Sequence, residues 1–178
     1  MLYKKILMIL TATTVLFFGA SSAQAAILFN VSAGVPLSNA YTDTANVESD
    51  GVSGVLLHAS LPMLPGLGLE NYETKLVDTT GRTGAVVKTT MYDLFFTLPI
   101  PFVNLTGGVG VGSLDASCAL TCTAEKGAAA QWYLQAGLSI LVFDIHARMH
   151  TITGKAKFNG VEQDLASSLL SVGVSAGF

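Results

Sequence analysis

Leu170-Ser171-Val172-Gly173-Val174-Ser175-Ala176-Gly177-Phe178 closes the chain, and its reading decides the fold. Side chains along an extended strand alternate between two faces. Leu170, Val172, Val174, Ala176 and Phe178 therefore share one face, and Ser171, Gly173, Ser175 and Gly177 share the other. A sheet in water normally sets its bulky face on a core and carries charge on the opposite one. Here the opposite face carries almost nothing. That suits a narrow barrel whose bulky face meets lipid and whose small polar face fills a crowded lumen.

The same two-residue period recurs upstream, and no helical period competes with it after the amino-terminus. Ile27 to Val35 sets Ile27, Phe29, Val31, Ala33 and Val35 against Leu28, Asn30, Ser32 and Gly34. Val55 to Leu61 sets Val55, Leu57, Ala59 and Leu61 against Leu56, His58 and Ser60. Gly66 to Val77 is read with Tyr72, Thr74 and Leu76 outward and Asn71, Glu73 and Lys75 inward, which leaves Glu70 facing out. Val86 to Leu98 puts Tyr92, Leu94, Phe96 and Leu98 outward and Thr89, Met91, Asp93 and Thr97 inward. Val103 to Ser113 alternates Val and Leu with Asn104, Thr106, Gly108, Gly110 and Gly112. Ala128 to Ile140 opposes Trp132, Leu134, Leu138 and Ile140 to Gln131, Gln135 and Ser139. Phe143 to Thr153 opposes Ile145, Ala147 and Met149 to Asp144, His146, Arg148 and His150. With the terminal stretch this makes eight segments of about ten residues, the smallest barrel of this kind.

The connections alternate as strictly as the residues. Pro62-Met63-Leu64-Pro65, Pro99-Ile100-Pro101 and Leu141-Val142-Phe143 are tight. Leu37 to Ser53, Asp78 to Ala85, Leu114 to Gly127 and Gly154 to Leu165 are longer and hold most of the remaining charge. An all-β, eight-stranded antiparallel up-and-down transmembrane barrel requires this alternation, and a Greek-key sandwich does not. Phe29, Phe96, Phe102, Trp132, Tyr133 and Phe178 fall near segment ends, where interfacial aromatic girdles are expected.

Composition points the same way. Half of the residues are hydrophobic and only 12% are charged, too few to coat a soluble domain of this size. Residues 1–25 read as a cleaved signal peptide. Lys4 and Lys5 precede an apolar run from Ile6 to Gly19, and Ala23-Gln24-Ala25 offers small-x-small cleavage before Ala26. Residues 26–178 then form one barrel domain. Losing Lys4 and Lys5 leaves seven basic residues against twelve acidic ones, a net charge of −5. With no basic patch, nucleic acid is not an expected partner.

Taken together, the leader, the eight alternating segments, the short turns and the final Phe178 resemble the small OmpA/OmpX-like outer-membrane barrels. The resemblance implies export to the outer membrane of a Gram-negative cell, with outer-membrane lipid as the surrounding partner. It also implies that the assembly machinery reads the last strand through Phe178. The chain ends at that strand, so the cell-wall-binding domain of larger members is not expected. A monomer, no cofactor and no enzymatic activity are expected. The implied role is structural or surface interaction through the long extracellular connections, since an eight-stranded interior only just accommodates its own side chains. The alternatives are a soluble exported barrel around a small apolar ligand, and a lipid A-modifying enzyme. One family of such enzymes pairs a His with a Ser two residues later, as His58 and Ser60 stand here. Acyl transfer would need the pair to meet lipid, whereas the alternation turns it to the lumen.

Three further groups have chemical potential. Cys118 and Cys122 lie in the third long connection, and an exported protein is expected to join them as a local disulfide. His146, Arg148 and His150 share one face of a single segment, but residues i and i+4 on a strand are about 13 Å apart, too far to hold one metal ion. The expectation is instead a polar lumen network drawn from Glu73, Lys75, Asp93, Asp144, His146, Arg148 and His150, because buried charge must be paired. Gly107-Gly108-Val109-Gly110-Val111-Gly112 is not a nucleotide loop, because it alternates within a strand and no helix follows.

Overall fold

The computed structural model describes residues 28–178 apart from 43–46, 79–82, 101, 119–123, 141 and 159–160. The expected signal peptide and the expected Cys118–Cys122 bridge lie outside the described residues. The described residues form ten strands: β1 (Asn30–Tyr41), β2 (Val47–Ser60), β3 (Gly66–Asp78), β4 (Thr83–Ile100), β5 (Val103–Cys118), β6 (Ala124–Glu125), β7 (Gly127–Ile140), β8 (Phe143–Phe158), β9 (Val161–Asp164) and β10 (Ser167–Gly177). Eight of them form the wall, each antiparallel to its neighbours, in the order β10-β1-β2-β3-β4-β5-β7-β8. β10 also pairs with β8, which closes the ring. The two short strands β6 and β9 pair only with the far end of β8.

Closure gives every wall strand a paired neighbour on both sides, the arrangement that lets strands sit in hydrocarbon, with β1 meeting β2 over Asn30–Gly34. The wall is also staggered. Stepping across paired residues from Ser32 leads through His58, Gly68, Asp93, Gly110, Gln131, Ile152 and Ser167, and returns to β1 at Tyr41 rather than at Ser32. That shift tilts the strands and sets the barrel width. The seam between the first and last strands is tied at its end. Leu28 N and Phe29 N both donate to Phe178 O, and Phe178 N donates back to Phe29 O at 2.9 Å. The rings of Phe29 and Phe178 stack 5.2 Å apart on the outer wall.

The tight connections form one rim, the turn end, together with both strand termini. Left-handed backbone at Met63 (φ 61°) and Phe102 (φ 65°) tightens two of these turns. The opposite rim is the loop end. There the wall strands continue well into the stretches expected to be loops: β1 runs to Tyr41, β2 starts at Val47, β5 runs to Cys118 and β8 to Phe158. On the outer wall Lys155 donates to Glu162 at 2.8 Å, both exposed. This bond holds the Lys155 amine above its ordinary range and the Glu162 carboxyl below.

The outer wall carries Val31, Val35, Val55, Leu57, Leu69, Tyr92, Leu94, Phe96, Val109, Val111, Trp132, Leu134, Leu138, Ile145, Met149 and Val174, all exposed. Seven of the eight expected facings agree with this wall. The facing of Gly66 to Val77 is inverted, and this corrects two expected lumen residues: Glu73 and Lys75 are exposed on the outside, while Glu70, Tyr72, Thr74 and Leu76 are buried inside. The reason is a change of solvent along one strand. Near the turn end Leu67 and Leu69 point out, as a lipid-facing wall requires. Near the loop end the outside is polar, so Glu73 and Lys75 point out and Tyr72 and Leu76 turn in. Strands β4, β5 and β8 change in the same way, with Lys88, Asp115, Lys155 and Lys157 outside and Val87, Leu114, Ala116, Ile152 and Ala156 inside. Tyr133 also departs from expectation. It lies in the lumen and not in an aromatic girdle, because its neighbour Trp132 takes the outward position and successive residues alternate.

Candidate functional site

The lumen is layered along the barrel. Nearest the turn end it holds small polar groups and one acid: Asn104 and Ser175 both donate to Asp144 Oδ2, at 3.1 and 2.9 Å. Ser32 Oγ lies 3.4 Å from His146 Nε2. Nearest the loop end lies an apolar layer that includes Leu76, Val87, Leu114, Ala116, Ile152 and Leu169. Between the two sits a dense group of buried charge drawn from five strands.

Glu70 on β3 is fully buried and is the hub. Gln131 Nε2 on β7 donates to Glu70 Oε2 at 3.0 Å and to Asp93 Oδ1 on β4 at 2.6 Å. Arg148 Nη1 on β8 donates to Glu70 Oε1 at 3.3 Å, and His150 Nδ1 lies 3.5 Å from Glu70 Oε2. His58 Nε2 on β2 is met by Arg148 Nη1 at 2.7 Å. The same nitrogen lies 3.3 Å from Glu70 Oε1 and 3.5 Å from Asp93 Oδ2. Arg148 is anchored separately, donating from Nε and Nη2 to Gln135 Oε1 at 3.0 and 2.5 Å. Its guanidinium carbon stands 4.7 Å over the Tyr133 ring, a cation–π placement.

Glycine makes room for these side chains. A Cβ at Gly110 would fall 1.9 Å from Asp93 Oδ1, and one at Gly68 would fall 2.4 Å from the His58 ring. A Cβ at Gly108 would fall 2.3 Å from the Tyr133 ring. Each glycine seats a side chain from an adjacent strand flat against the wall. Gly110→Ala must therefore push Asp93 off Gln131, at an expected cost of about 1–3 kcal/mol. Urea unfolding of the refolded barrel measures it, and an unchanged midpoint would show that Asp93 has another place to go.

Of the residues expected in the network, Asp93, Arg148 and His150 meet in this central cluster. Asp144 and His146 are inside but belong to the layer nearer the turn end, and Glu73 and Lys75 are outside. His58 joins the centre of the cluster as a partner of charge, while Ser60, its companion in the enzyme alternative, makes no described hydrogen bond with it. Glu70, outward in the pattern expected of Gly66 to Val77, is buried at the centre of the lumen. Its correct facing follows from Leu67 and Leu69, which share the opposite parity.

No family model matches the sequence, and no curated protein matches it. Solved structures do. Neisserial surface protein A aligns over 84% of this chain and 97% of its own, with a TM-score of 0.63 at 13% identity. The chain has the fold of the small outer-membrane barrels. A second likeness is to the outer membrane protein OprG from Pseudomonas aeruginosa, covering 84% of this chain and 95% of that one, with a TM-score of 0.52 at 12% identity. At these identities the agreement concerns backbone architecture. The charged layer must be understood from this chain's own residues.

Proposed function

We propose that this protein resides in the bacterial outer membrane as a monomeric barrel with a blocked lumen. In this reading it acts as a structural or surface-interaction protein through its loop end, with no chemical step of its own. The observation that carries the reading is the layered interior. A solute entering from the loop end meets Leu76, Val87, Leu114 and Ala116, and beyond them a packed set of buried charges. A diffusion pore needs a continuous polar path, and an eight-stranded wall leaves little room beyond its own side chains.

The rival readings lack this support. A soluble barrel around an apolar ligand needs its large residues inside, whereas Leu94, Val109, Leu134 and Ile145 stand outside. A lipid-modifying enzyme needs His58 near lipid, whereas His58 is buried in the lumen beside Arg148. Phe178, exposed beside the seam of the barrel, is accessible to the assembly machinery as the resemblance implies.

Planar bilayer recordings test the blocked lumen. The refolded protein is expected to insert without steady single-channel conductance, and regular porin-like steps would overturn the reading. Orientation is tested on intact cells with an epitope inserted at position 160 or at Met63. Antibody should reach the first and not the second.

A further inference from the structure

We propose that the lumen cluster is a binding site for one divalent cation of the zinc type, held by His58, Glu70 and Asp93 in competition with the Arg148 guanidinium. An imidazole nitrogen with two carboxylate oxygens is a donor set that zinc accepts, with a fourth position left for water. The three donor atoms all lie within 4.8 Å of one another. His58 Nε2 stands 3.3 Å from Glu70 Oε1 and 3.5 Å from Asp93 Oδ2. Bond lengths of about 2.0–2.2 Å at tetrahedral angles place neighbouring donors about 3.3–3.6 Å apart. Two of the three edges therefore already have the length that a bound ion would impose.

A second observation points the same way. Asp93 is buried and its Oδ1 accepts from Gln131, yet its Oδ2 has no hydrogen-bond partner and is directed toward His58 Nε2. A buried carboxylate oxygen left alone is costly. The cluster also holds two carboxylates against one guanidinium, an excess of negative charge that a cation removes. Gly68 and Gly110 seat two of the ligands, so the donors are fixed by the wall and not by flexible side chains.

Arg148 is the obstacle and also the means of testing the site. Its Nη1 touches both Glu70 Oε1 and His58 Nε2, two of the three donors. Its Nε and Nη2 donate to Gln135, and the guanidinium is one rigid plane, so an ion takes the site only by shifting the whole group off these donors. The ion would reach the cluster from the turn end, past Ser32, Asn104, Thr106 and Asp144, because the loop end is sealed by the apolar layer.

The test uses tag-free protein refolded in detergent from metal-free denaturant and titrated calorimetrically with Zn2+. One ion should bind per barrel. Asp93→Asn should weaken binding by about 100-fold or more, and Arg148→Met, which removes the competing cation, should strengthen it. No binding by the wild-type barrel overturns the proposal. So does undiminished binding by Asp93→Asn, or weaker binding by a folded Arg148→Met. X-ray absorption on the zinc-loaded wild-type protein decides the case even where a variant does not fold. A shell of nitrogen and oxygen alone supports the lumen site, and sulfur in the shell assigns the ion to Cys118 and Cys122 and overturns it.

Discussion

In metal-free buffer, Arg148→Met should destabilise the refolded barrel by about 3–5 kcal/mol, the cost of leaving buried charge uncompensated. Arg148 stands between Glu70 and His58 and is held on Gln135. Without it, Glu70 keeps the Gln131 amide and the ring nitrogens of His58 and His150 at 3.3 and 3.5 Å, with the Asp93 carboxyl group in the same cluster. Removing the other charge should reverse much of the loss. The double variant Arg148→Met with Glu70→Gln should recover more than half of it, because a neutral buried pair needs no counter-ion. Trp132 fluorescence during urea unfolding in lipid vesicles measures both variants. A loss under about 1 kcal/mol for Arg148→Met would mean that the cluster is solvated and not a structural network.

The second large effect is expected on the opposite face of the wall. Leu134 is exposed on the outside of β7, well inside the apolar band and next to the small residues Gly107 and Ala136. Leu134→Arg should cost about 2–4 kcal/mol in a bilayer, the range for a cation at mid-depth on a lipid-facing strand. Ser117→Arg is the control. Ser117 is also exposed, but at the loop end, where the cost should be about 0–1 kcal/mol. If the wall faced water, both substitutions would be ordinary surface changes within about 0.5 kcal/mol. Equal small effects would therefore defeat the lipid-facing assignment.

The strand count, the order and most facings are legible in the sequence because one physical demand, lipid outside and small groups inside, acts along the whole of a short segment such as Leu170 to Phe178. The error at Glu70 to Leu76 has a physical cause. β3 crosses from lipid to a polar exterior partway along, so the apolar face moves from outside at Leu67 and Leu69 to inside at Tyr72 and Leu76. Read alone, the second half suggests the wrong side. The same crossing hides the loop-end halves of β5 and β8. Asp115 and Lys155 look like loop charge but sit on strands whose opposite face packs Leu114 and Ala156.

The central cluster was only half legible, for a different reason. Asp93, Arg148 and His150 can be placed inward one strand at a time. That His58, Glu70 and Asp93 converge depends on the stagger that aligns His58 with Gly68 and Gly68 with Asp93, which no single segment specifies. The glycines offered a partial signal. Gly68 and Gly110 lie at inward positions beside bulky residues of adjacent strands, and an empty position beside a large side chain marks where that side chain lies.

The central claim is that the outer wall faces lipid, and the single tryptophan tests it most directly. Trp132 projects outward from β7 with half of its surface exposed. The protein would be refolded into vesicles whose acyl chains carry bromine, and its emission compared with that in unlabelled vesicles. Blue-shifted emission, strongly quenched by the brominated chains and little affected by aqueous acrylamide, is the predicted result. Red-shifted emission that acrylamide quenches and brominated lipid does not would contradict the account.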